Sequence, residues 1–285
     1  MTLDVLNSCL AGDAGSFCVS YGFVLASLLL GAVAGFLGGL LGVGGGIVIV
    51  PVLFHLFSYS QGAQSLATAL ALKMAIATSL ATIIFTSISA IKAQLPHQSI
   101  QWPIVKTWTP FILLGSFSTG FVAQYLSPEW LKTTIGCFLL LAGIVMLLRL
   151  QPKPNRTLPG LLGTSILSGF IGFISALAGI GGGNIIVPTL TWFNIPMKNT
   201  TATSSTLGLP IALFGSAGFV TSGYGMTELP SFSLGYVYLP ALFSIAIMTF
   251  LFAPLGVSVA HKVPSARLKQ IFGLLLLLVA IKMLM

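Results

Sequence analysis

The chain has 285 residues, of which 12 are Lys or Arg and only 4 are Asp or Glu. Charged residues make up 6% of the sequence, against about 25% in an ordinary soluble domain, and the mean hydropathy is +1.04. So few charges cannot cover a water-soluble globule, and so hydrophobic a chain is not disordered. The net charge of +8 comes from scarce acids, which argues against a nucleic-acid binder. The composition predicts a polytopic membrane protein.

Eight apolar runs are long enough to cross the hydrocarbon layer, which takes about 20 helical residues. In chain order the predicted spans are 20–41, 70–91, 103–126, 130–149, 158–178, 200–222, 234–260 and 267–285. These runs lack the alternation of a membrane β-barrel, so we predict an all-α fold with about eight long hydrophobic helices.

The predicted spans fall into two membrane domains. We expect the first membrane domain at 20–149 and the second at 158–285, because the stretch between them is polar and rich in Pro. Residues 150–157 would form a cytoplasmic linker, and residues 1–19 a short extracytoplasmic tail.

The two halves of the chain carry similar sequences. Three pairs of segments match in the same order: 35–53 with 172–190, 73–79 with 198–204, and 120–136 with 256–273. The first pair is offset by 137 residues and is identical at eleven of nineteen positions, including a glycine triplet and a Val-Pro pair. The second pair shares the pattern Lys-x-x-x-Ala-Thr-Ser. Together the matches predict two homologous repeats.

Loop charges predict how the repeats lie in the membrane. The linker and the segments 92–106 and 261–269 carry cations, whereas the N-terminal tail and the 223–232 loop carry only acids. The positive-inside rule places the cationic segments in the cytoplasm. Segment 126–132, the repeat partner of 261–269, then falls on the opposite side. The repeats are therefore expected to have inverted topology, as in many secondary transporters.

A glycine triplet precedes each of two short apolar runs, 47–58 and 184–193. Each run is about 15–18 Å long as a helix, which is too short to span the membrane. We therefore predict broken or re-entrant helices at these Gly-rich loops. Irregular backbone at membrane depth is tolerated only where it is buried in protein or faces a cavity.

The free N–H groups at such a break favour anions, because they donate hydrogen bonds at the positive end of a helix dipole. The predicted substrate-binding backbone is Gly44, Gly45, Gly46, Gly181, Gly182 and Gly183, with the side-chain amide of Asn184. The alternative is close helix packing through small residues, which we favour for the isolated spacing of Gly31, Gly35 and Gly39.

Hydroxyls and two lysines complete the predicted site. Neutral donors could bind an oxyanion without a full countercharge; those of the Ala-Thr-Ser motifs are Thr78, Ser79, Thr203 and Ser204. The alternative is that they bond to the preceding turn of their own helix. Lys73 and Lys198 occupy equivalent repeat positions and would attract anions at the two mouths of a path, or else extend to the membrane interface.

No other chemistry is indicated by the sequence. All four acids and all three histidines fall in predicted tails, loops or helix edges, so no intramembrane proton relay, metal site or catalytic group is expected. We predict that the chain is not an enzyme and uses no cofactor. The expected partners are membrane lipid and a small anionic substrate, with no nucleic acid, and homodimer formation stays open.

The duplicated motif Gly-x-Gly-Gly-Gly, ending in Val-Pro and followed by Ala-Thr-Ser, resembles the sulfite exporter TauE/SafE family over about residues 20–285. This family is also called the toluene sulfonate uptake family. The resemblance implies an inner-membrane permease for sulfite or an organosulfonate such as sulfoacetate or taurine. Ile47 stands where the second repeat has Asn184, so the site is expected to be asymmetric.

Electrostatics favours export. An anion that leaves a cell with a negative interior gains about 2.3 kcal/mol per charge per 100 mV. Two alternatives stay open at this stage. One is a permease for another small anion or a sodium-coupled nutrient, and the other is a membrane scaffold that transports nothing.

Overall fold

A computed structural model describes residues 21–59, 68–147, 160–193 and 195–262, with scattered positions between 270 and 281. The predicted N-terminal tail, the linker and most of the last predicted span lie outside the described residues.

The described residues between 21 and 262 form nine α-helices and one small hairpin. In the first half they are α1 (Tyr21–Leu41), α2 (Gly46–Tyr59), α3 (Thr68–Gln94), α4 (Trp102–Tyr125) and α5 (Pro128–Leu147), with a 3₁₀ turn at Leu95–His97. In the second half they are α6 (Leu161–Leu177), α7 (Gly183–Trp192), α8 (Met197–Ser222), strands β1 (Ser233–Leu234) and β2 (Val237–Tyr238), and α9 (Leu239–Lys262).

Four of the described helices are long and apolar enough to cross a membrane by length and composition. These helical stretches are Gly22–Leu41, Ala69–His97, Lys198–Ser222 and Leu239–Ala260. The outward side of the bundle is also apolar, since Leu25, Leu29 and Ile247 are each more than half exposed. A contiguous exposed surface of this kind suits contact with lipid rather than with water. The architecture is that of an α-helical, multi-pass membrane protein.

The predicted span 234–260 begins later than expected, at Leu239. Residues 233–238 instead form an antiparallel hairpin in which Ser233 pairs with Tyr238. The turn requires a positive φ of +53° at Gly235, and the fully buried ring of Tyr238 lies edge-on to Phe57 with centroids 5.7 Å apart. The hairpin therefore closes one end of the bundle over α2.

Equivalent helices of the two repeats, α3 and α8, pack against each other in opposite directions. Leu80, near the middle of α3, lies against Gly215, late in α8, where a Cβ would approach the Leu80 side chain to 3.1 Å. At the other end of α3, Gln94 donates a hydrogen bond to Ser205, early in α8, over 3.4 Å. The two helices are therefore antiparallel where they pack against each other.

Small residues let α1 and α9 pack with their backbones in contact. A Cβ on Gly35 would lie 2.5 Å from the Cα of Thr249, and Gly31 and Gly39 meet α9 one turn before and after. Helices α4 and α6, which occupy the equivalent repeat positions, make a similar contact. The isolated glycine spacing of α1 is therefore a packing seam, as its sequence pattern favoured.

Candidate functional site

Two glycine loops interrupt the helices at the positions that the sequence predicts. The first loop is residues 42–45, between α1 and α2, and the second loop is residues 178–182, between α6 and α7. The loop residues with positive φ, between +68° and +78°, are Gly42, Gly44, Gly45, Gly179 and Gly182. A residue with a side chain would lose about 1–2 kcal/mol in this conformation, so the loop backbone itself requires glycine.

The two loops are buried and lie against each other, backbone to backbone. A Cβ on Gly183 would lie 2.6 Å from the carbonyl oxygen of Gly42. The equivalent contact on the other side brings Gly46 against the carbonyl oxygen of Gly179. Gly46 and Gly183 therefore lack room for a side chain because of the opposite loop, whereas the middle glycines of the triplets, Gly45 and Gly182, have a positive φ.

The serines of the Ala-Thr-Ser motifs hold the loops by crossed hydrogen bonds. Ser79 of the first repeat donates its hydroxyl to the carbonyl oxygen of Gly179 over 2.9 Å. Ser204 of the second repeat donates to the carbonyl oxygen of Gly42 over 3.2 Å. Both hydroxyl protons therefore bond to loop carbonyls. In this arrangement the two serines, which the sequence predicts as substrate ligands, hold the loops in position.

Each threonine of the same motifs accepts a hydrogen bond from a backbone N–H of the opposite half of the chain. The Oγ1 of Thr78 accepts a hydrogen bond from the N–H of Tyr238, and the Oγ1 of Thr203 accepts one from the N–H of Gln101. Each N–O distance is 3.0 Å. Tyr238 and Gln101 immediately precede α9 and α4, which are equivalent helices. In contrast, Thr82 donates to the carbonyl of Ser79 within its own helix. The paired motifs therefore connect the repeats, while the neighbouring hydroxyl only bonds to its own turn.

Polar side chains without partners gather at the second loop. Both amide atoms of Asn184 are buried and have no hydrogen-bond partner among the described residues. The same holds, within that part of the chain, for the hydroxyl of Ser175, which is 0% exposed. This hydroxyl lies 3.5 Å from the position of a Cβ on Gly182, the residue before α7. Buried polar groups of this kind normally have partners, which makes this loop a candidate binding site.

The N-terminus of α7 adds backbone donors to this cluster. The first N–H groups of any helix have no carbonyl one turn back, and in α7 these belong to Gly183 and Asn184. The equivalent amides in α2 belong to Gly46 and Ile47. Only the second loop, however, combines them with polar side chains: the first repeat has Gly38 where the second has Ser175, and Ile47 where it has Asn184.

Sequence reasoning missed Ser175. Its signal is a hydroxyl in the last turn of an apolar helix, four residues before Gly179, at a position where the other repeat has glycine. A single Ser in a membrane helix usually bonds to its own turn, and so the residue attracts no attention without the structure.

The two predicted anion-attracting lysines lie in different environments. Lys73 is partly buried, and its Nζ lies 5.9 Å from the ring centroid of Tyr236, whereas Lys198 is exposed. Burial raises the pKa of the Tyr236 hydroxyl, and the carboxylate of Glu228 raises it further. The Tyr236 hydroxyl therefore stays neutral and donates to the sulfur of Met226 over 3.1 Å. Neither lysine contacts the glycine loops in any interaction described for them.

Side chains suited to a metal ion do not cluster in the part of the chain that the structure describes, where no three of His, Cys, Asp and Glu come together. The two described acids, Glu129 and Glu228, are both exposed. The donors available at the loops are consequently neutral: backbone N–H groups, one side-chain amide and hydroxyls. Such a set can bind an anion through hydrogen bonds alone.

Comparison with known proteins gives a consistent family. The profile of the family described as "Sulfite exporter TauE/SafE" matches residues 27–283. The chain is 37% identical to a "Probable membrane transporter protein" of Haemophilus influenzae over 92% of this chain and 98% of that protein. A similarly named protein of Methanocaldococcus jannaschii is 29% identical over 85% of this chain and 88% of its own length.

A third relative, a "Probable membrane transporter protein" of Bacillus subtilis, is 30% identical over 69% of this chain and 78% of its own length. No solved structure gives a significant match. The family profile covers both glycine loops, both Ala-Thr-Ser motifs and nearly all of the described helices. The chain therefore belongs to the TauE/SafE family.

Proposed function

We propose that the chain is a secondary transporter that moves a small sulfur-containing anion, sulfite or an organosulfonate such as sulfoacetate or taurine, out of the cell. It would lie in the cytoplasmic membrane with its N-terminus outside. The family name and the names of the relatives support transport, and the apolar outer surface supports a membrane location. The proposal of inverted repeats is supported by the antiparallel packing of α3 and α8 and by the crossed serine bonds.

The substrate would bind at the second loop. The observation that carries this proposal is the buried amide of Asn184, whose two polar atoms have no partner among the described residues. One oxygen of a sulfite or sulfonate group would accept from the Nδ2 of Asn184, and others from the N–H groups of Gly183 and Asn184. The hydroxyl of Ser175 provides a further donor beside Gly182.

Neutral donors suit an anion that must be released as well as bound. A buried lysine or arginine would hold a sulfonate by a charge-assisted bond, which is roughly twice as strong as a neutral one. Backbone amides at a helix N-terminus instead present only a partial positive charge to the substrate, so they hold it less tightly. The membrane potential then supplies the driving force for export, about 2.3 kcal/mol per charge per 100 mV.

The experiment is sulfite efflux from proteoliposomes under an imposed potassium-diffusion potential. Efflux should accelerate when the inside is negative, should need neither sodium nor a pH gradient, and should be abolished in Asn184→Leu. Ile47→Leu, at the equivalent buried position of the first repeat, is the matched control and should transport normally. Efflux that ignores the potential and requires a pH gradient or sodium would contradict the potential-driven mechanism.

Thermal unfolding separates a binding role of Asn184 from a structural one. Without ligand, Asn184→Leu should unfold at the same or a higher temperature, because it removes buried polar atoms that have no partner. Sulfite at 100 times its Kd should stabilise the wild type by about 2.7 kcal/mol and should not stabilise the variant. A lower unfolding temperature without ligand would instead indicate that Asn184 supports the fold.

A further inference from the structure

The contact between α3 and α8 is polar at one end and apolar at the other. Positions 125 residues apart are equivalent in the two helices, as the paired serines of the Ala-Thr-Ser motifs indicate. Three equivalent pairs near the glycine loops differ in polarity. The polar end of the contact is formed by Thr201, Ser205 and Gln94, and the apolar end, in the same order, by Ile76, Leu80 and Phe219.

The polar end adjoins the first loop. The Cγ2 of Thr201 lies 2.5 Å, and the Oγ of Ser205 lies 3.1 Å, from the position of a Cβ on Gly42. Gln94, the last residue of α3, donates a hydrogen bond from its side-chain amide to the Oγ of Ser205 over 3.4 Å. Because a typical N–H···O bond is about 2.9–3.0 Å long, this contact between the two helices is weak.

The apolar end adjoins the second loop and is sealed by packing. The Cγ2 of Ile76 lies 3.3 Å from the position of a Cβ on Gly179, and the side chain of Leu80 lies 3.1 Å from that of a Cβ on Gly215. Phe219 follows one turn later in α8, and all three apolar side chains are 0% exposed. Packing of this kind offers an anion neither space nor hydrogen-bond donors.

Access from the surface differs in the same direction. Gln94 and Ser205 are each 4% exposed, whereas the apolar end is fully buried. The polar end also leads toward the proposed anion site, because Gly42 lies against Gly183 at the start of α7. Gln94 belongs to the segment 92–106, which the positive-inside rule places in the cytoplasm.

We propose that Gln94 and Ser205 form the gate through which the substrate reaches the glycine loops from the cytoplasm. This inference rests on the proposed transport function. The Gln94–Ser205 bond opens easily, because the amide and the hydroxyl can each bond to water or to an anion oxygen instead. Opening the apolar end would expose packed hydrocarbon, so that end stays closed while the anion enters.

The test is the side from which a thiol at the gate can be modified. The background is a chain in which Cys9, Cys18 and Cys137 are replaced by Ala. Ser205→Cys should react with the membrane-impermeant anion sulfonatoethyl methanethiosulfonate in inside-out vesicles and not in right-side-out vesicles. Leu80→Cys, at the equivalent position of the apolar end, is the matched control and should resist the reagent from both sides when no substrate is present.

Variants of Gln94 test whether its amide covers the gate. A thiol at position 205 still accepts a weak hydrogen bond, so the contact with Gln94 persists in Ser205→Cys. Gln94→Ala should then speed the modification about fivefold, the factor by which an ordinary hydrogen bond shifts an opening equilibrium. Gln94→Asn keeps an amide on a shorter side chain and should speed it less. It serves as the second variant where the alanine protein is too unstable to purify.

The gate is overturned if Ser205→Cys reacts equally well from outside, if Leu80→Cys reacts as fast, or if neither Gln94 variant changes the rate. In proteoliposomes, modified Ser205→Cys should stop moving sulfite and should recover when a thiol reductant removes the label. The modification itself needs no substrate. A protein that is modified in the expected pattern but moves no sulfite before labelling therefore contradicts the proposed function and still supports opening at Gln94.

Discussion

The two glycine loops share a backbone and differ in chemistry. Each ends a long helix, turns through glycines with positive φ, presses against the other loop and accepts a hydrogen bond from the serine of the opposite repeat. Only the second loop adds buried polar side chains that have no partner among the described residues, those of Ser175 and Asn184. The first loop has Gly38 and Ile47 in their places.

This difference separates what the repeat must keep from what it can change. Glycine is fixed at both loops by backbone conformation and by contact with the other loop, so the two triplets stay alike. Side chains that contact the substrate need not be the same in both loops, because one substrate molecule cannot occupy two equal sites at once. We infer that the first loop supports the second, which carries the polar groups.

The largest expected effect tests how tightly the loops are packed. Gly45→Ala combines a φ of +78° with a Cβ only 2.5 Å from the carbonyl oxygen of Ala34, a backbone atom that cannot move aside. We expect a loss of about 3 kcal/mol, from left-handed strain plus overpacking. Gly225→Ala is the matched control, with a φ of +84° and open space around it, and should cost about 1 kcal/mol. Thermal unfolding in detergent measures both.

Gly182→Ala extends that test to the second loop. Its Cβ would meet the end of the Ile211 side chain at 2.5 Å, which can adjust where a backbone atom cannot. We expect a cost between those of Gly225→Ala and Gly45→Ala. Equal losses of stability in Gly45→Ala and Gly225→Ala would show that the loops are packed less tightly than these distances indicate.

A reciprocal exchange tests the chemical difference between the loops. Ile47→Asn should destabilise the protein by about 2 kcal/mol, because it replaces a fully buried apolar side chain with an amide that lacks partners. Asn184→Ile should leave the protein without ligand at least as stable as the wild type. If the two exchanges changed the unfolding temperature in the same direction and by the same amount, the loops would be chemically equivalent.

The crossed serine bonds should be equal in both repeats. Ser79→Ala and Ser204→Ala each leave a buried loop carbonyl without its donor, and each should cost about 1 kcal/mol. Chemical denaturation of the single and double variants measures the two effects and their coupling. A cost at only one serine would mean that the supporting framework is asymmetric as well.

The smallest expected effect concerns the lysines. Lys73→Met should cost about 0.5 kcal/mol through the lost contact with the ring of Tyr236, while Lys198→Met should leave stability unchanged. Both variants should slow the entry of sulfite into the transport path at low ionic strength. In high salt, which screens the attraction, their rates should approach that of the wild type. Slowing that is independent of salt would argue against a role in attracting anions.

Local sequence patterns predicted the helices well. The run 70–91 appears as Thr68–Gln94, and the short runs after the triplets begin within one residue of expectation, at Gly46 and Gly183. These elements are predictable because apolar length and helix-breaking glycine act on neighbouring residues. The hairpin before α9 was not predicted, since two-residue strands leave almost no periodic signal.

The connections between the repeats could not be predicted in the same way. The bond from Ser79 to Gly179 joins residues 100 positions apart, and that from Tyr238 to Thr78 joins residues 160 apart. Duplicated motifs indicated that these hydroxyls matter, but no local pattern states which atom they contact. The place of Ser175 beside Gly182 depends on packing at the second loop, which a local sequence pattern does not specify.

The most direct test of a one-sided site in a two-fold framework is the stoichiometry of sulfite binding, measured by equilibrium titration of detergent-purified protein. One sulfite per chain is expected, lost in Asn184→Leu and retained in Ile47→Leu. Two equivalent sulfites per chain, or binding that survives Asn184→Leu and fails in Ile47→Leu, would contradict the assignment of the site to the second loop.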